Sequence, residues 1–415
     1  MRTLVRCFDV ASFMRTLPHS QALAAAIALL AVSRAFAQSP EPAIDAGVSA
    51  EDQALLKEME AATQPKSPPP PPPPSLPARA ASFFSNTFNP ALSLNGLLLA
   101  SATNDRAPAP ADPKTGLAIQ EVELQFLTNV DPYFSANLLL SLPGGRGIEV
   151  EEGYLVVTPQ PYGLSFRAGK IKAPFGRENA IHTHALPFVD KSLVGTAVFG
   201  EEGLNEVSVE GSYLVPLPFY TLLTVTAMNG DNEALFASAH GEDLAGFGNL
   251  KSVLDLSDDA TLEAGASYAL GKNSASLLSQ AAGAHLVFKW KPARAYTTRS
   301  LVVAVEGMLA SRPTGMDEAA PPTPPHTSGF YGYAQWQLAQ RWYVTGRFDY
   351  LRTSTVGAPV DETLRESAIL VFAPTEFSAL RLQASLTHPP GGGDPVIAGV
   401  LQANFTLGAH PAHAY

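Results

Sequence analysis

Polar and apolar side chains alternate at every second position over many short segments of the chain, from about residue 92 onwards. One such segment alternates Thr261, Glu263, Gly265 and Ser267 with Leu262, Ala264, Ala266 and Tyr268. The same alternation occurs over residues 121–126, 206–213 and 381–387. Because successive side chains of a β-strand point to opposite faces, each segment predicts a strand with one polar and one apolar face. A soluble β-sandwich gives the same alternation, so the strands alone do not decide the architecture.

The links between the strands do decide it. About 16 strands are predicted, beginning near residues 91, 118, 133, 149, 162, 204, 217, 246, 260, 281, 300, 329, 341, 364, 378 and 395. Short links such as Asp258-Asp259 alternate with long ones at 102–117, 171–203, 230–245, 271–280, 311–328, 353–363 and 388–394. The two exceptions are a short link at 143–147 and a longer turn at 292–298. Short turns at one end and long loops at the other are typical of outer-membrane barrels. The predicted fold class is all-β, a transmembrane antiparallel β-barrel.

Composition agrees with this prediction. The chain is 46% hydrophobic and 16% charged, yet it has no apolar run of the roughly 20 residues that a membrane helix needs. Its hydrophobicity is therefore spread by alternation. Aromatic side chains near the predicted strand ends are expected to form the interfacial girdles of the barrel. They are Tyr133, Tyr154, Tyr162, Phe219, Tyr220, Trp290, Trp336, Trp342 and Tyr343.

The N-terminal region has the features of an export signal. Met14-Arg15 is followed by the apolar run 22–32 and by Ala35-Phe36-Ala37, a small-x-small cleavage site. The alternative, an anchor helix, would be too short to span a bilayer. We expect a signal peptide over residues 1–37, starting at Met1 or Met14, and a location in the bacterial outer membrane. A periplasmic proline-rich leader with a short helix is expected over 38–87, the barrel over 88–408 and a tail over 409–415.

Charge and cysteine content exclude several functions. The formal net charge is −11, and removal of residues 1–37, which hold four arginines and one aspartate, leaves about −14. This balance argues against nucleic-acid binding, which requires a basic face. The single cysteine, Cys7, lies in the predicted signal peptide. A mature chain without thiols has no disulfides, cysteine-ligated zinc or cysteine nucleophile.

The long link at 171–203 is the third outer loop of the predicted topology, and its sequence resembles a known family. The residues are 167–178, RAGKIKAPFGRE, followed by 186–193, LPFVDKSL. They resemble the Gly-x-x-Lys-x-Pro-Phe-Gly segment and the later Phe-x-x-(Arg/Lys)-Ser-Leu of the phosphate-selective porin O/P family. The resemblance implies a trimeric porin of about 16 strands whose third loop folds inward and narrows the lumen.

The charges of this region differ from those of that family, whose phosphate-selective members concentrate arginines and lysines along the pore. Here Lys170, Lys172, Arg177 and Lys191 stand beside Glu178, Asp190, Glu201 and Glu202. On alternation, Arg167, Lys289, Arg347, Asp349 and Arg381 also fall on polar faces and are expected to point into the lumen. We expect the pore and its constriction to be lined by Arg167, Lys170, Lys172, Arg177, Glu178, Asp190, Lys191, Arg347, Asp349 and Arg381.

Histidines and glutamates offer a second kind of chemistry. His182 and His184 would share one face of an extended segment and could begin a zinc or copper site; the alternative is that they are polar loop residues lining the pore. Glu149, Glu151 and Glu152 could act as acid–base groups or hold calcium. The simpler expectation for these three is that divalent ions bridge them to surface lipid. The C-terminal histidines are interpreted as part of a tail that the barrel-assembly machinery reads, and not as a metal site.

Two functions remain open. The first is a porin for passive diffusion of small hydrophilic solutes or ions, with outer-membrane lipid, lipopolysaccharide and the barrel-assembly machinery as partners. The second is a receptor barrel for zinc or a metal complex, because the stretch 201–205 and the histidine tail resemble sequences labelled zinc-regulated TonB-dependent outer-membrane receptors. Such receptors have about 22 strands and a plug, for which the chain before residue 88 leaves no room. No cofactor is expected. An enzyme is not expected either, because the sequence offers no matched Ser–His or Asp–His set.

Overall fold

The computed structural model describes residues 90–105, 115–145, 147–158, 161–238, 240–313, 326–354 and 359–408. The predicted signal peptide, the leader and the tail lie outside these described residues. Sixteen strands close into one barrel, in which each strand pairs antiparallel with its chain neighbours and β1 pairs with β16. The prediction of a closed antiparallel barrel of about 16 strands is confirmed.

The strands are β1 (Ala91–Thr103), β2 (Gly116–Asn129), β3 (Phe134–Ser141), β4 (Glu149–Val157), β5 (Leu164–Lys172), β6 (Asn205–Leu214), β7 (Tyr220–Met228), β8 (Ala245–Ser257), β9 (Ala260–Lys272), β10 (Leu278–Trp290), β11 (Leu301–Ser311), β12 (His326–Ala339), β13 (Trp342–Ser354), β14 (Asp361–Thr375), β15 (Ser378–His388) and β16 (Val396–Gly408). Each begins within three residues of the predicted position. One short helix, α1 (Leu193–Phe199), lies between β5 and β6.

Alternation along the strands separates an apolar outer face from a mostly polar inner face. In β15, Leu380 and Leu382 are exposed, while Arg381 and Gln383 between them are buried in the interior. The outer face carries exposed residues on many strands, among them Val209, Leu250, Leu286, Val305, Leu370 and Leu401. A closed sheet leaves no unpaired edge, so an apolar outer face of this kind suits lipid surroundings. Among the described residues, no helix combines the length and apolarity required to cross a membrane.

The two ends of the barrel differ as predicted. Links 258–259, 340–341 and 376–377 are tight, and the opposite end carries the long links 173–204 and 229–244. Most of the predicted girdle aromatics are exposed at the short-turn end: Tyr133, Tyr162, Phe219, Tyr220, Trp336 and Trp342.

Two girdle predictions are wrong. The Tyr154 ring lies 5.2 Å from the guanidinium of Arg167, on the lumen side, and the Tyr343 hydroxyl accepts a hydrogen bond from Gln337 inside the barrel. Both side chains occupy inward positions of the alternating pattern, which proximity to a strand end does not reveal.

The link at residues 173–204, called the inner loop below, lies inside the barrel. It buries a row of apolar side chains, which are Phe175, Leu186, Phe188, Val194, Val198, Phe199 and Leu204. These pack with inward-facing residues of the wall, including Met228, Phe247, Val287, Met308 and Tyr331. The barrel interior therefore contains a hydrophobic core, and burial of this apolar surface holds the inner loop in place.

Candidate functional site

The Pro174-Phe175-Gly176 segment directs the inner loop from the end of β5 across the lumen. Phe175 is fully buried and packs edge-on against Phe199, with ring centroids 4.8 Å apart. Gly176 adopts φ +61°, a conformation that favours glycine. Its N–H donates to Ser267 Oγ on β9 at 2.9 Å.

Glu306 on β11 fixes the next residues of the loop. Its Oε2 accepts hydrogen bonds from the N–H groups of Arg177 and Glu178, each at 3.1 Å. The Tyr331 hydroxyl donates to the same oxygen at 2.8 Å. Three donors thus satisfy Oε2 of this buried carboxylate, which would otherwise be costly to bury, whereas its Oε1 is buried without a hydrogen-bond partner among the described residues. The loop therefore meets the wall on β9 and β11, opposite the strand from which it starts.

Glu178 links the first part of the loop to the start of α1. This buried side chain accepts hydrogen bonds from the Ser192 N–H at 2.9 Å and from the Ser192 hydroxyl. Ser192 in turn caps α1, because its Oγ accepts from the Gly195 N–H at 3.1 Å. Burial raises the pKa of Glu178 to about 7, against the opposing effect of the Ser192 hydrogen bond. Glu178, predicted to line the pore, is enclosed within the loop.

A network of four charges binds the loop to β13 and β14. Arg347 Nε donates to Asp349 Oδ2 at 2.7 Å, and its Nη2 lies 3.3 Å from Asp190 Oδ2 of the loop. Arg365 Nη1 lies 2.7 Å from the same Asp190 oxygen. The Arg347 and Asp349 side chains are completely buried. Burial alone would raise the pKa of Asp190, but Arg347 and Arg365 hold it below its usual value.

Arg381 holds the middle of the loop. Its Nη2 donates to the His184 carbonyl oxygen at 2.9 Å, and its Nη1 donates to Gln402 Oε1 at 2.6 Å. Asn404 Nδ2 donates to the same His184 carbonyl at 3.1 Å. The predicted lumen residues Arg347, Asp349 and Arg381 do face inward, and they contact the loop.

A group of charges from β8, β10 and the inner loop surrounds Glu263 of β9 inside the barrel. Arg177 Nη1 and Lys289 Nζ each lie 4.0 Å from an oxygen of Glu263, and the Lys289 side chain is 46% exposed. Lys251 also interacts electrostatically with Glu263. His285 Nε2 lies 3.3 Å from Glu263. This group, called the basic patch below, comprises Arg177, Lys251 and Lys289 around one carboxylate.

Three predicted pore residues remain. Arg167 faces inward and forms two hydrogen bonds with Glu210, at 2.6 and 3.0 Å. The prediction that Lys170 lines the pore is wrong, because Lys170 pairs with Val207 of the outer face and its Nζ donates to the Val150 carbonyl at 2.7 Å. Lys191 donates to the Glu201 carbonyl.

His182 and His184 face a group of acidic side chains on β2 and β4. Their rings stack nearly parallel with centroids 5.8 Å apart. His182 Nδ1 lies 3.2 Å from Glu151 Oε1 and its Nε2 lies 3.3 Å from Glu152 Oε2. His184 Nδ1 lies 2.5 Å from Glu123 Oε2. Although burial lowers the pKa of His182, hydrogen bonds to Glu151 and Glu152 raise it to about 9.

Two further members complete this Glu–His cluster, which we define as Glu121, Glu123, Glu151, Glu152, Lys172, His182 and His184. Lys172 Nζ donates to Glu151, and Ser141 donates to Glu121 Oε1 at 2.6 Å. Glu151 and Glu152 are buried. The expectation that ions bridge them to surface lipid is therefore wrong for these two residues. The register shift between β3 and β4 at Leu139/Leu140 turns both side chains towards the loop.

Several functional residues were not singled out from the sequence: Glu123, Glu210, Glu263, Glu306 and Arg365. Except for Arg365, which is followed by the charged Glu366, each lies on a polar position between apolar or small neighbours, so the pattern predicts that it faces inward. Nothing in the pattern shows which part of the inner loop it meets, because the partners lie on distant strands.

Solved structures of known proteins resemble this fold. The anion-selective porin from Comamonas acidovorans gives a TM-score of 0.54 at 10% identity, over 77% of this chain and 100% of that one. The outer membrane channel DcaP of Acinetobacter baumannii gives 0.53 at 12% identity, over 76% and 97%. OmpT of Vibrio cholerae in its trimer form gives 0.50 at 8% identity, over 77% and 99%. At these identities the likeness shows the fold alone, and that fold is the 16-strand barrel of outer-membrane porins.

Sequence comparison gives a closer relative. No family model matches the chain. An uncharacterized protein of Aquifex aeolicus (strain VF5) is 30% identical over 337 residues, which cover 73% of this chain and 71% of that protein. The chain, a 16-strand barrel with a loop folded into its lumen, belongs to the same protein family as this Aquifex aeolicus protein.

Proposed function

We propose that the protein is an outer-membrane porin through which small hydrophilic solutes or ions diffuse passively, and that the inner loop constricts its lumen. The observation that carries this proposal is the attachment of the loop to the wall on many sides. It meets β2 and β4 through His182 and His184, β9 and β11 through Gly176 and Arg177, and β13 to β15 through Asp190. A loop held in this way narrows the passage at a fixed place.

The outer surface supports the proposed location. An apolar outer face on a closed barrel is suited to outer-membrane lipid beside lipopolysaccharide. Export by the signal peptide and folding by the barrel-assembly machinery stay expectations from the sequence. Strands β3, β4 and β5 have 8, 9 and 9 residues, at or below the 9–11 or so that a membrane strand needs. A homotrimer would cover this short side with a neighbouring protomer. OmpT of Vibrio cholerae, which shares the fold, is known in a trimer form.

The basic patch sets the expected ion preference. Arg177, Lys251 and Lys289 exceed the single charge of Glu263, and Lys289 remains about half exposed. We expect a modest preference for anions at this part of the lumen. Membership in the phosphate-selective porin O/P family stays a prediction, which the Pro174-Phe175-Gly176 segment supports. The expectation that the protein is not an enzyme also stays a prediction.

The test is a liposome-swelling assay with the purified, folded protein and sugars of increasing size. A porin with this constriction admits small sugars and excludes large ones, and a variant with residues 178–198 replaced by a short glycine-serine linker admits larger ones. If neither protein makes liposomes swell, passive diffusion is contradicted.

The receptor hypothesis has one specific observation in its favour, the convergence of both histidines on glutamates of the wall. A receptor barrel of this kind would bind zinc or a metal complex and would not allow sugars to pass. The swelling assay therefore separates the two functions.

A further inference from the structure

We propose that Glu123, Glu151 and His182 bind a divalent transition-metal ion, with Zn²⁺ the chemical type that fits best, and that this ion ties the inner loop to the wall. One potential ligand atom from each of the three residues lies within 4.8 Å of the other two. Ligand atoms around a tetrahedral zinc ion are about 3.4 Å apart, given metal–ligand distances of about 2.0–2.2 Å. Small side-chain rotations would therefore close the site.

The orientation of His182 supports a ligand role. Its Nδ1 faces Glu151 at 3.2 Å, and its Nε2 lies 3.3 Å from Glu152 Oε2. Histidines that bind metals generally donate their other ring N–H to a carboxylate, which fixes the tautomer and the ring orientation. Glu152 stands in that supporting position, so that Nδ1 is the nitrogen directed at the metal.

The charge of the Glu–His cluster also favours a cation. Four carboxylates, from Glu121, Glu123, Glu151 and Glu152, lie around the ammonium group of Lys172 and the imidazole of His182, which together carry at most two positive charges. Glu151 is 5% exposed, and its Oε2 has no hydrogen-bond partner among the described residues. A buried carboxylate oxygen without a partner is costly. A bound metal ion would satisfy that oxygen and offset the negative charge.

Donor type selects the class of metal. One imidazole nitrogen with two carboxylate oxygens suits zinc and similar ions, whereas calcium and magnesium prefer oxygen ligands alone. Three protein ligands leave a fourth position for water, which the 22% exposure of the His182 side chain permits.

The placement of the ligands gives the site a mechanical consequence. Glu123 belongs to β2 and Glu151 to β4, whereas His182 belongs to the inner loop. A metal bound to all three would join the loop to the wall on the side opposite Glu306. Lys172 competes with the metal, because it donates to Glu151 Oε1.

Calorimetric titration of the folded full-length protein in detergent with ZnCl₂, in excess MgCl₂, tests the site. We expect one Zn²⁺ per chain, with affinity reduced at least tenfold in Glu151→Gln and in His182→Gln. Lys172→Met should bind Zn²⁺ more tightly, because the competing ammonium group is removed. Glu201→Gln and His240→Ala, which change exposed residues outside the cluster, serve as matched controls and should leave the affinity unchanged.

X-ray absorption at the zinc edge of the wild-type protein gives a readout that does not depend on a variant folding correctly. We expect nitrogen and oxygen ligands only, with the scattering of one imidazole. The proposal is overturned if the wild type binds no Zn²⁺, if the cluster variants bind it like the wild type, or if the control variants lose it. Because both readouts are independent of conductance, they stand apart from the test of diffusion.

Discussion

Buried charges in this barrel are balanced by partners that lie far away in the sequence. Arg347 is the clearest example, since its guanidinium contacts Asp349 of its own strand and Asp190 of the inner loop, and lies 4.4 Å from the Phe188 ring centroid. An arginine of this kind cannot be neutralised, so loss of a partner leaves an uncompensated charge. Side chains that would line a wider pore serve here to hold the loop.

Asp349→Asn should therefore destabilise the protein. Asp349 also accepts the Leu193 N–H at 3.1 Å, at the start of α1. Breaking one partner of a buried ion pair costs about 3–5 kcal/mol, and the lower end applies because Asp190 remains. Denaturant unfolding in detergent, followed by tryptophan fluorescence, measures the change. Asp361→Asn alters an exposed carboxylate and should have little effect; equal stability of the two variants would refute the role of Asp349.

Glu178 gives the stability of the loop a pH dependence. Burial and Glu306 raise its pKa to about 7 from 4.5, against Ser192 and Arg347. The folded state then holds this proton more tightly than the unfolded state. The contribution of Glu178 to the free energy of unfolding is therefore fully present below about pH 4.5 and is lost as the pH rises through 7. Glu178→Gln should match the wild type at pH 4.5 and exceed it at pH 8, by up to about 3 kcal/mol.

Thermal unfolding of both proteins in detergent between pH 4.5 and 8 measures this difference, because other titrating groups are common to both. Glu201→Gln, on the exposed part of the same loop, should follow the wild type throughout. Parallel curves for Glu178→Gln and the wild type would show that Glu178 does not titrate in this range.

The basic patch should govern ion preference. Each unit charge contributes about 0.5 kcal/mol at about 8 Å in water, so loss of two disfavours anions roughly fivefold and favours cations by about the same factor. The double variant Lys251→Gln/Lys289→Gln should therefore lower the anion-to-cation permeability ratio by up to about 25-fold, measured as the reversal potential in a KCl gradient. Lys272→Gln is the control, because Lys272 lies at the outer end of β9 and pairs with Asp243. An unchanged reversal potential in the double variant would place the selective charges elsewhere.

At the scale of elements, the Pro174-Phe175-Gly176 segment decides where the inner loop goes. A Cβ at Gly176 would lie 1.6 Å from Glu306 Oε1, and its φ of +61° is unfavourable for other residues. Gly176→Ala should therefore displace Glu306, break its bonds to the loop and loosen the loop. Trypsin should then cut the folded barrel at Arg177 or Lys191. Gly399→Ala, where a Cβ meets nothing within 4 Å, should stay resistant; resistance of both variants would contradict the anchoring role.

The strands could be predicted from the alternation, and the inward course of the third outer loop from the family resemblance, but the contacts of that loop could not. Alternation has a period of two along most of each strand, and the lipid outside makes that pattern strong. The packing of the loop depends on contacts across the lumen, such as Phe188 against Tyr333 with ring centroids 5.6 Å apart. Helix α1 was missed because its seven residues are too few to show a helical period.

The same limit applies to the candidate metal site. The sequence singled out His182 and His184 from their spacing, and the structure adds the carboxylates that face them. Glu123 is separated from His182 by many residues and three strands, β3 to β5, so only the barrel register brings them together. Glu151 was noticed as part of an acidic group, but its inward direction follows from the irregular pairing of β3 with β4.

At the scale of the whole molecule, the described residues form two apolar regions, one facing outward from the barrel and one enclosed within it. The outer region suits lipid, and the inner region, built around Phe175, Phe188 and Phe199, fills much of the lumen. A wide water-filled pore would leave the inward side chains exposed, yet Arg381, Gln402 and Asn404 are all buried. The conducting path that we propose is therefore narrow, and the inner loop determines its width.

Single-channel recording in planar lipid bilayers tests this claim most directly, with the wild type compared to the variant in which a short linker replaces residues 178–198. The account predicts small stepwise conductances for the wild type and several times larger ones for the variant, with heat-resistant folded barrels in both samples. Equal conductances for the two proteins, or none from either folded barrel, would contradict it.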